Sequence, residues 1–171
     1  WNMGANVFIY TYRGYGMSSG EATATNVLQD AETAAAYVMG RPDVDPANIV
    51  AYGYSLGGIP TSHLVGRSEH KEMFRSCIIE APFDRPESLV DIATGTDMPE
   101  GFFLDADSEF DGPAFIEGAS LPILHMHGQY DSTLLIEQAN NYYDVLKDKP
   151  GYTHYLGKTD KPDEGWIRGC N

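Results

Sequence analysis

The sequence places a serine between glycines, in Gly53-Tyr-Ser55-Leu-Gly57, where two hydrophobic patterns meet. A β-branched and aromatic run leads into this motif, and an apolar stretch typical of a helix begins at Gly58. In a tight strand-to-helix turn, small neighbours leave the serine hydroxyl free to attack a carbonyl carbon. The N–H of Leu56 would then face the charge that develops on the carbonyl oxygen. The alternative is an ordinary glycine-rich turn, because the motif alone also occurs by chance.

The segments that would position this serine alternate between strand-like and helix-like patterns. Helical spacing predicts helices over 26–39, 58–65 and 134–146. Five short apolar runs predict strands buried in a sheet: 6–12, 48–54, 76–80, 121–127 and 152–156. Strands that alternate with helices favour βαβ units. We therefore predict an α/β fold with a doubly wound, mainly parallel sheet.

Length and charge limit the domain organisation and the class of partner. The 171 residues carry a net charge of −14, and they predict one domain. Ten acidic residues against the single basic residue Arg85 lie within 84–118, which we interpret as an acidic excursion or lid. This charge argues against nucleic-acid binding, which needs clusters of Lys and Arg. No apolar run is long enough to span a membrane as a helix.

Three sequence blocks resemble the α/β-hydrolase fold, specifically the Bem46-like branch of serine hydrolases that includes protein depalmitoylases. The blocks are NVFIYTYRGYGMSSG (6–20), DPANIVAYGYSLGG (45–58) and LPILHMHGQYD (121–131). The resemblance implies that Ser55 is the nucleophile, that the Leu56 N–H is one oxyanion donor, and that Asp131 orients a catalytic histidine. Asp131 could instead cap the start of the next helix. Arg13, in the first block, is expected to anchor loops around the site.

The third catalytic residue is not assigned uniquely by the resemblance. The family's histidine follows the last strand, where this sequence has Lys161. A lysine of ordinary pKa is protonated and cannot accept the serine proton. His154, the only histidine after Asp131, lies within the last predicted strand. Three interpretations remain: His154 acts in a shifted register, the histidine lies beyond Asn171, or the triad is broken.

The resemblance also suggests that the chain is a fragment of a longer domain. The N-terminal strands of the fold, and the loop with the second oxyanion donor, would precede Trp1, so these residues alone are expected to be catalytically poor. The function that follows is hydrolysis of an ester, thioester or amide in a small molecule or acylated protein, without metal or organic cofactor. The alternative is a non-catalytic binding or regulatory module of the same fold. The sequence assigns neither a compartment nor an oligomeric state.

Two further clusters of possible metal ligands have simpler explanations. His125 and His127 share one face of a predicted strand without a third ligand at suitable spacing, which favours packing over metal binding. The stretch from Asp107 to Gly118 partly matches a calcium loop but lacks its final bidentate ligand, so a solvated acidic loop is the favoured interpretation.

Overall fold

The computed structural model describes residues 4–86 and 110–157. Short 3₁₀ turns precede β1, α2 and β2, over Pro46–Asn48, Ser55–Gly57 and Lys71–Met73. The helices and strands follow one another in this order: α1 (Ala24–Met39), β1 (Ile49–Tyr54), α2 (Gly58–Gly66), β2 (Phe74–Glu80), α3 (Gly112–Ile116), β3 (Ile123–Gly128), α4 (Ile136–Leu146) and β4 (Tyr152–Gly157).

The four strands form one sheet in the order β1-β2-β3-β4, and every neighbouring pair is parallel. A helix follows each of the first three strands. The helices after β1 and β3 agree with the sequence prediction, whereas α3 lies within the acidic segment 84–118, where no helix is predicted. The predicted α/β fold with a parallel sheet is therefore confirmed. Because all strands run the same way, their carboxyl ends lie along one edge, where parallel sheets place their functional loops.

One face of the sheet forms the main core. Ala51, Cys77, Ile79 and Ile123 point from three strands toward the same side and pack with residues of α2, α3 and α4. The alternate residues of β1 are exposed, since Val50, Tyr52 and Tyr54 are all about half accessible. This period-two difference shows that the described helices cover one face of β1 only. Within the described residues, no helix has the length and hydropathy needed to cross a bilayer.

The predicted first strand, 6–12, is not part of the sheet. Its backbone is irregular, and Val7, Phe8 and Ile9 are largely exposed. A strand is defined by a hydrogen-bonded neighbour, and β1 pairs only with β2 among the described residues. The strand prediction for 6–12 is therefore wrong for the described residues, because its apolar pattern has no neighbouring strand to pair with.

The two ends of the acidic segment 84–118 are joined to each other. The Gly112 N–H donates to the Asp84 carbonyl (2.9 Å), and Arg85 Nε lies 3.0 Å from Asp111 Oδ2. The buried Asp84 carboxylate also accepts a hydrogen bond from Asn141 on α4 (2.6 Å). Most of the predicted lid, residues 87–109, lies outside the described residues.

Candidate active site

Ser55 directly follows β1 and adopts a left-handed backbone conformation, with φ of 53°. Such a conformation is costly for a residue with a side chain, and it persists only where surrounding contacts enforce it. One such contact is a hydrogen bond from the Phe83 N–H to the Ser55 carbonyl (3.1 Å). The serine therefore lies on a strained turn at the carboxyl edge, as the G-x-S-x-G motif predicts.

Two glycines make this turn sterically possible. A Cβ at Gly53 would lie 2.5 Å from the Gly57 carbonyl oxygen and 2.6 Å from Thr61 Oγ1. A Cβ at Gly58 would lie 2.4 Å from the Pro82 Cβ. The strand, the turn and the first residues of α2 thus approach too closely for any larger residue.

Leu56 lies in the 3₁₀ turn Ser55–Gly57 that leads directly into α2. The first N–H groups of a helical segment have no partner within the segment, and the helix dipole makes that end favourable for negative charge. The backbone around Leu56 therefore suits a developing oxyanion beside Ser55.

Asp131 lies in the loop after β3, at the same edge of the sheet as Ser55, with β2 between the two strands. Its Oδ1 accepts hydrogen bonds from the N–H groups of Thr133 and Leu134, both at 2.9 Å. The N-cap of α4 is Leu135, so Asp131 stabilises the preceding turn and not the helix itself. Within the described residues, both hydrogen bonds to the Asp131 carboxylate use Oδ1, so Oδ2 can accept a hydrogen bond from another donor.

His154 lies in the interior of β4, directly opposite His125 of β3. The two imidazole rings stack with centroids 4.7 Å apart, and the Tyr143 ring of α4 is 5.3 Å from His154. Burial lowers the pKa of His154, and its buried Nε2 has no hydrogen-bond partner among the described residues. Three residues separate it from the end of the strand, roughly 10 Å along the chain. The structure therefore does not bring His154 to Ser55 or Asp131.

The other histidines also have partners away from the serine. His63 Nε2 lies 2.7 Å from Glu32 Oε1, and His70 borders the same carboxylate. His125 Nδ1 pairs with the Tyr152 hydroxyl (3.1 Å), and His127 Nε2 with the Leu134 carbonyl (2.7 Å). All five histidines are within the described residues, and no hydrogen bond joins any of them to Ser55. Lys161 and the first three residues of the stretch that partly matches a calcium loop, 107–109, lie outside those residues.

Among residues 4–86 and 110–157, no three His, Cys, Asp or Glu side chains converge on a point where they could hold a metal ion. Cys77 is fully buried, and burial raises the pKa of its thiol to about 12, which keeps it protonated and unreactive.

Arg13 anchors the loop beside the serine turn, as the sequence predicts. Its Nε donates to Asp30 Oδ1 (2.7 Å), its backbone N–H donates to Asp30 Oδ2 (2.8 Å), and its Nη1 reaches Asn26 (3.0 Å). This fixes the neighbouring Tyr12, whose hydroxyl lies 3.8 Å from where a Cβ of Gly57 would be. The proximity of Tyr12 to the turn is not predicted by the sequence, because it depends on a contact between distant segments.

The fold and the serine turn together define the class: this is a chain of the α/β-hydrolase fold. The sequence pattern of the prolyl oligopeptidase family matches residues 2–165, and the chain belongs to that family. The resemblance to serine hydrolases of this fold is thereby confirmed.

Individual proteins agree with this assignment. The Escherichia coli K12 protein YfhR is 31% identical over 84% of the chain and 49% of its own length. Alpha/beta hydrolase domain-containing protein 17C of Xenopus tropicalis is 33% identical over 75% of the chain and 38% of its own length. An α/β hydrolase from Vibrio vulnificus superposes with a TM-score of 0.66 at 21% identity, over 87% of the chain and 54% of that protein. The chain thus spans about half the length, or less, of the proteins it matches.

Proposed function

We propose that the protein is a serine hydrolase that cleaves an ester, thioester or amide through an acyl-enzyme on Ser55. The observation that carries this proposal is the positive φ of Ser55, held between Gly53 and Gly58 where no side chain fits. A protein tolerates such strain where function requires it. The family match and the fold support the same conclusion.

In this proposal, Ser55 Oγ attacks the acyl carbon while a base takes the hydroxyl proton, and the bond to the leaving group then breaks. The Leu56 N–H stabilises the oxyanion of the tetrahedral intermediate. Asp131 orients the base through Oδ2, because Oδ1 is already held by two backbone N–H groups. Water then hydrolyses the acyl-enzyme by the reverse sequence of proton transfers.

The base in this proposal is a histidine. In the described residues each of the five histidines has other contacts. For His154 to serve, β4 would have to move along β3 by several residues and break a register of six paired positions. The same observation favours a second candidate, a non-catalytic binding module with a vestigial serine turn.

Labelling with a fluorophosphonate separates the two candidates, since only an activated serine is phosphonylated. We expect the protein at its full natural length to be labelled on Ser55, and Ser55→Ala to abolish the label. Ser120→Ala is the matched control, because Ser120 is exposed and precedes β3 at the opposite end of the sheet. An unlabelled parent protein would establish the binding module. Loss of the label in His154→Gln, with folding intact, would assign the base to His154.

The substrate class follows from charge. The chain carries a net charge of −14, and the acidic segment 84–118 begins next to Phe83, whose N–H donates to the Ser55 carbonyl. We therefore expect anionic substrates to be repelled and neutral or cationic ones to be admitted. The comparison is between matched neutral and carboxylated acyl esters at low salt. Equal rates for the two would contradict the charge argument, and added salt should reduce any difference.

A further inference from the structure

His127 lies at the end of β3, fully buried, on the face of the sheet that packs against the helices. Its Nε2 lies 2.7 Å from the carbonyl oxygen of Leu134, seven residues further along. A carbonyl oxygen only accepts hydrogen bonds, so Nε2 must carry the proton and donate it. This hydrogen bond therefore joins the end of β3 to the far end of the loop 128–135.

Asp131 also contacts the backbone of Leu134. The Leu134 N–H donates to Asp131 Oδ1, while the Leu134 carbonyl accepts from His127. Leu134 itself is buried in the core. The position of Leu134 thus links the imidazole to the carboxylate: if the carbonyl is released, the N–H that orients Oδ1 is also free to move.

The protonation state of His127 suits this task. Burial lowers its pKa, although the Leu134 carbonyl and the nearby Asp131 charge act in the opposite direction. Its buried Nδ1 has no hydrogen-bond partner within residues 4–86 and 110–157, so a second proton there would have no acceptor among them. The ring consequently remains neutral, with its single N–H directed at the loop, and is not available as a proton acceptor for Ser55.

We propose that His127 is a positioning residue, which holds the Leu134 peptide so that the Asp131 carboxylate faces the catalytic base. This inference rests on the proposed function of Asp131 but concerns a residue to which no role has been given. Buried groups that orient a reacting side chain commonly cost tenfold or more in activity when removed. The effect should fall on kcat and not on KM, because His127 is fully buried and is expected to act only through the Leu134 peptide.

The test compares two amides at position 127 that differ by one methylene. In His127→Gln the side-chain amide can take the place of Nε2 and donate to the Leu134 carbonyl. In His127→Asn it is too short to reach. We expect His127→Asn to lower kcat by about 10- to 100-fold with KM changed less than about threefold, and His127→Gln to restore most of kcat.

A second readout does not depend on catalysis. Hydrogen exchange at the Leu134 amide reports its bond to Asp131, and we expect it to be about tenfold faster in His127→Asn than in His127→Gln. His125→Asn is the matched control: it lies on the same strand and face, but its partner is Tyr152. That control should leave the Leu134 exchange rate unchanged relative to flanking amides.

The outcomes separate this inference from the proposed function. A labelled parent in which His127→Asn and His127→Gln behave alike, or in which His125→Asn has the same effect, would overturn the positioning role. An unlabelled parent would overturn the hydrolase while the exchange measurement still tests the loop. If His127→Asn does not fold, Asp131→Ala provides the reciprocal test: faster exchange of the His127 Nε2 proton supports the link, and an unchanged rate contradicts it.

Discussion

The turn after β1 and the middle of β3 and β4 both carry side chains capable of acid, base or nucleophilic chemistry. The first presents Ser55 on a strained backbone at the end of a strand, beside a helix N-terminus. The second packs His125 and His154 against each other and against Tyr143, inside the sheet. In the first region, the strained backbone conformation of Ser55 places its hydroxyl at the end of the strand. In the second, burial lowers the pKa of both imidazoles.

The difference shows that position along a strand matters more than residue type. His154 is the residue that the sequence offers as the base, yet it is paired within β4 and its free nitrogen is enclosed. Asp131 lies beyond the end of β3, where a loop can turn its carboxylate toward neighbouring strands. In parallel sheets, reactive side chains are therefore expected in the loops beyond the carboxyl ends of the strands, and not within the strands themselves.

The largest effect should come from Asp131→Asn, which keeps an oxygen for the Thr133 and Leu134 N–H groups but removes the charge that orients an imidazole. We expect kcat to fall by about 10³- to 10⁴-fold, as for other triad acids, with little change in thermal stability. Asp144→Asn, on the exposed side of α4, is the control and should retain full activity. A loss of activity that followed unfolding in a melting experiment would assign Asp131 a structural role only.

Gly53→Ala should disrupt the first region by sterics alone. The new methyl group would meet the Gly57 carbonyl and Thr61, and relief requires the turn to move. We expect the free energy of unfolding to fall by about 2–3 kcal/mol, measured by urea denaturation. Gly40→Ala is the matched control, because its contacts begin at 3.6 Å and its φ of −76° suits any residue. Equal stability of the two variants would show that the turn is not tightly packed.

Acidic pH should lower the free energy of unfolding through the second region, where His125 and His154 stack. Burial, with smaller contributions from His154 and His127, lowers the pKa of His125 from 6.5 to about 3. The unfolded chain therefore binds a proton at pH values where the folded chain does not, so stability is full above pH 6.5 and falls from there toward pH 3. His125→Phe should flatten this part of the pH dependence, measured as the difference in unfolding free energy from the parent. Parallel curves for parent and variant would contradict the assignment.

The smallest effect is expected at the loop that borders the serine turn. Asp30→Asn removes the charge that receives three Arg13 donors, the backbone N–H, Nε and Nη2, in a partly buried setting, which should cost about 1 kcal/mol in unfolding free energy. Asp43→Asn breaks a geometrically similar pair with Arg41 in full solvent, and it should leave stability unchanged. If the two substitutions cost the same, the Arg13 contact contributes no more than a surface ion pair.

Local patterns predicted most of the fold. The helical spacing of 26–39 and the strands ending at Tyr54 and His127 agree with the structure to within two residues, because each depends on a periodicity within a single segment. The segment 6–12 has an equally strong pattern and forms no strand, since pairing depends on a neighbour elsewhere. Ser55 could be located from the motif and its flanks, whereas its φ of 53° is a property of the folded turn.

The details of the site that the sequence did not predict depend on contacts across the fold. The short interval between His127 and Asp131 is visible in the sequence, but their shared link through Leu134 appears only when the loop closes. The stacking of His154 on His125 depends on the register between β3 and β4, and so does the Tyr152–His125 pair beside it. A single sequence carries no signal for such a register.

The contacts that join Asp84 and Arg85 to Asp111 and Gly112 have an evolutionary consequence for the segment between them. Two contacts, from Gly112 to Asp84 and from Arg85 to Asp111, join its ends, and Asn141 ties them to α4. Once the ends are held, doubling the length of the chain between them adds only about 0.6 kcal/mol of closure entropy. Insertions, deletions or whole exchanged sequences between Pro86 and Phe110 can therefore accumulate at little thermodynamic cost. Selection can therefore vary this segment while the serine turn stays unchanged.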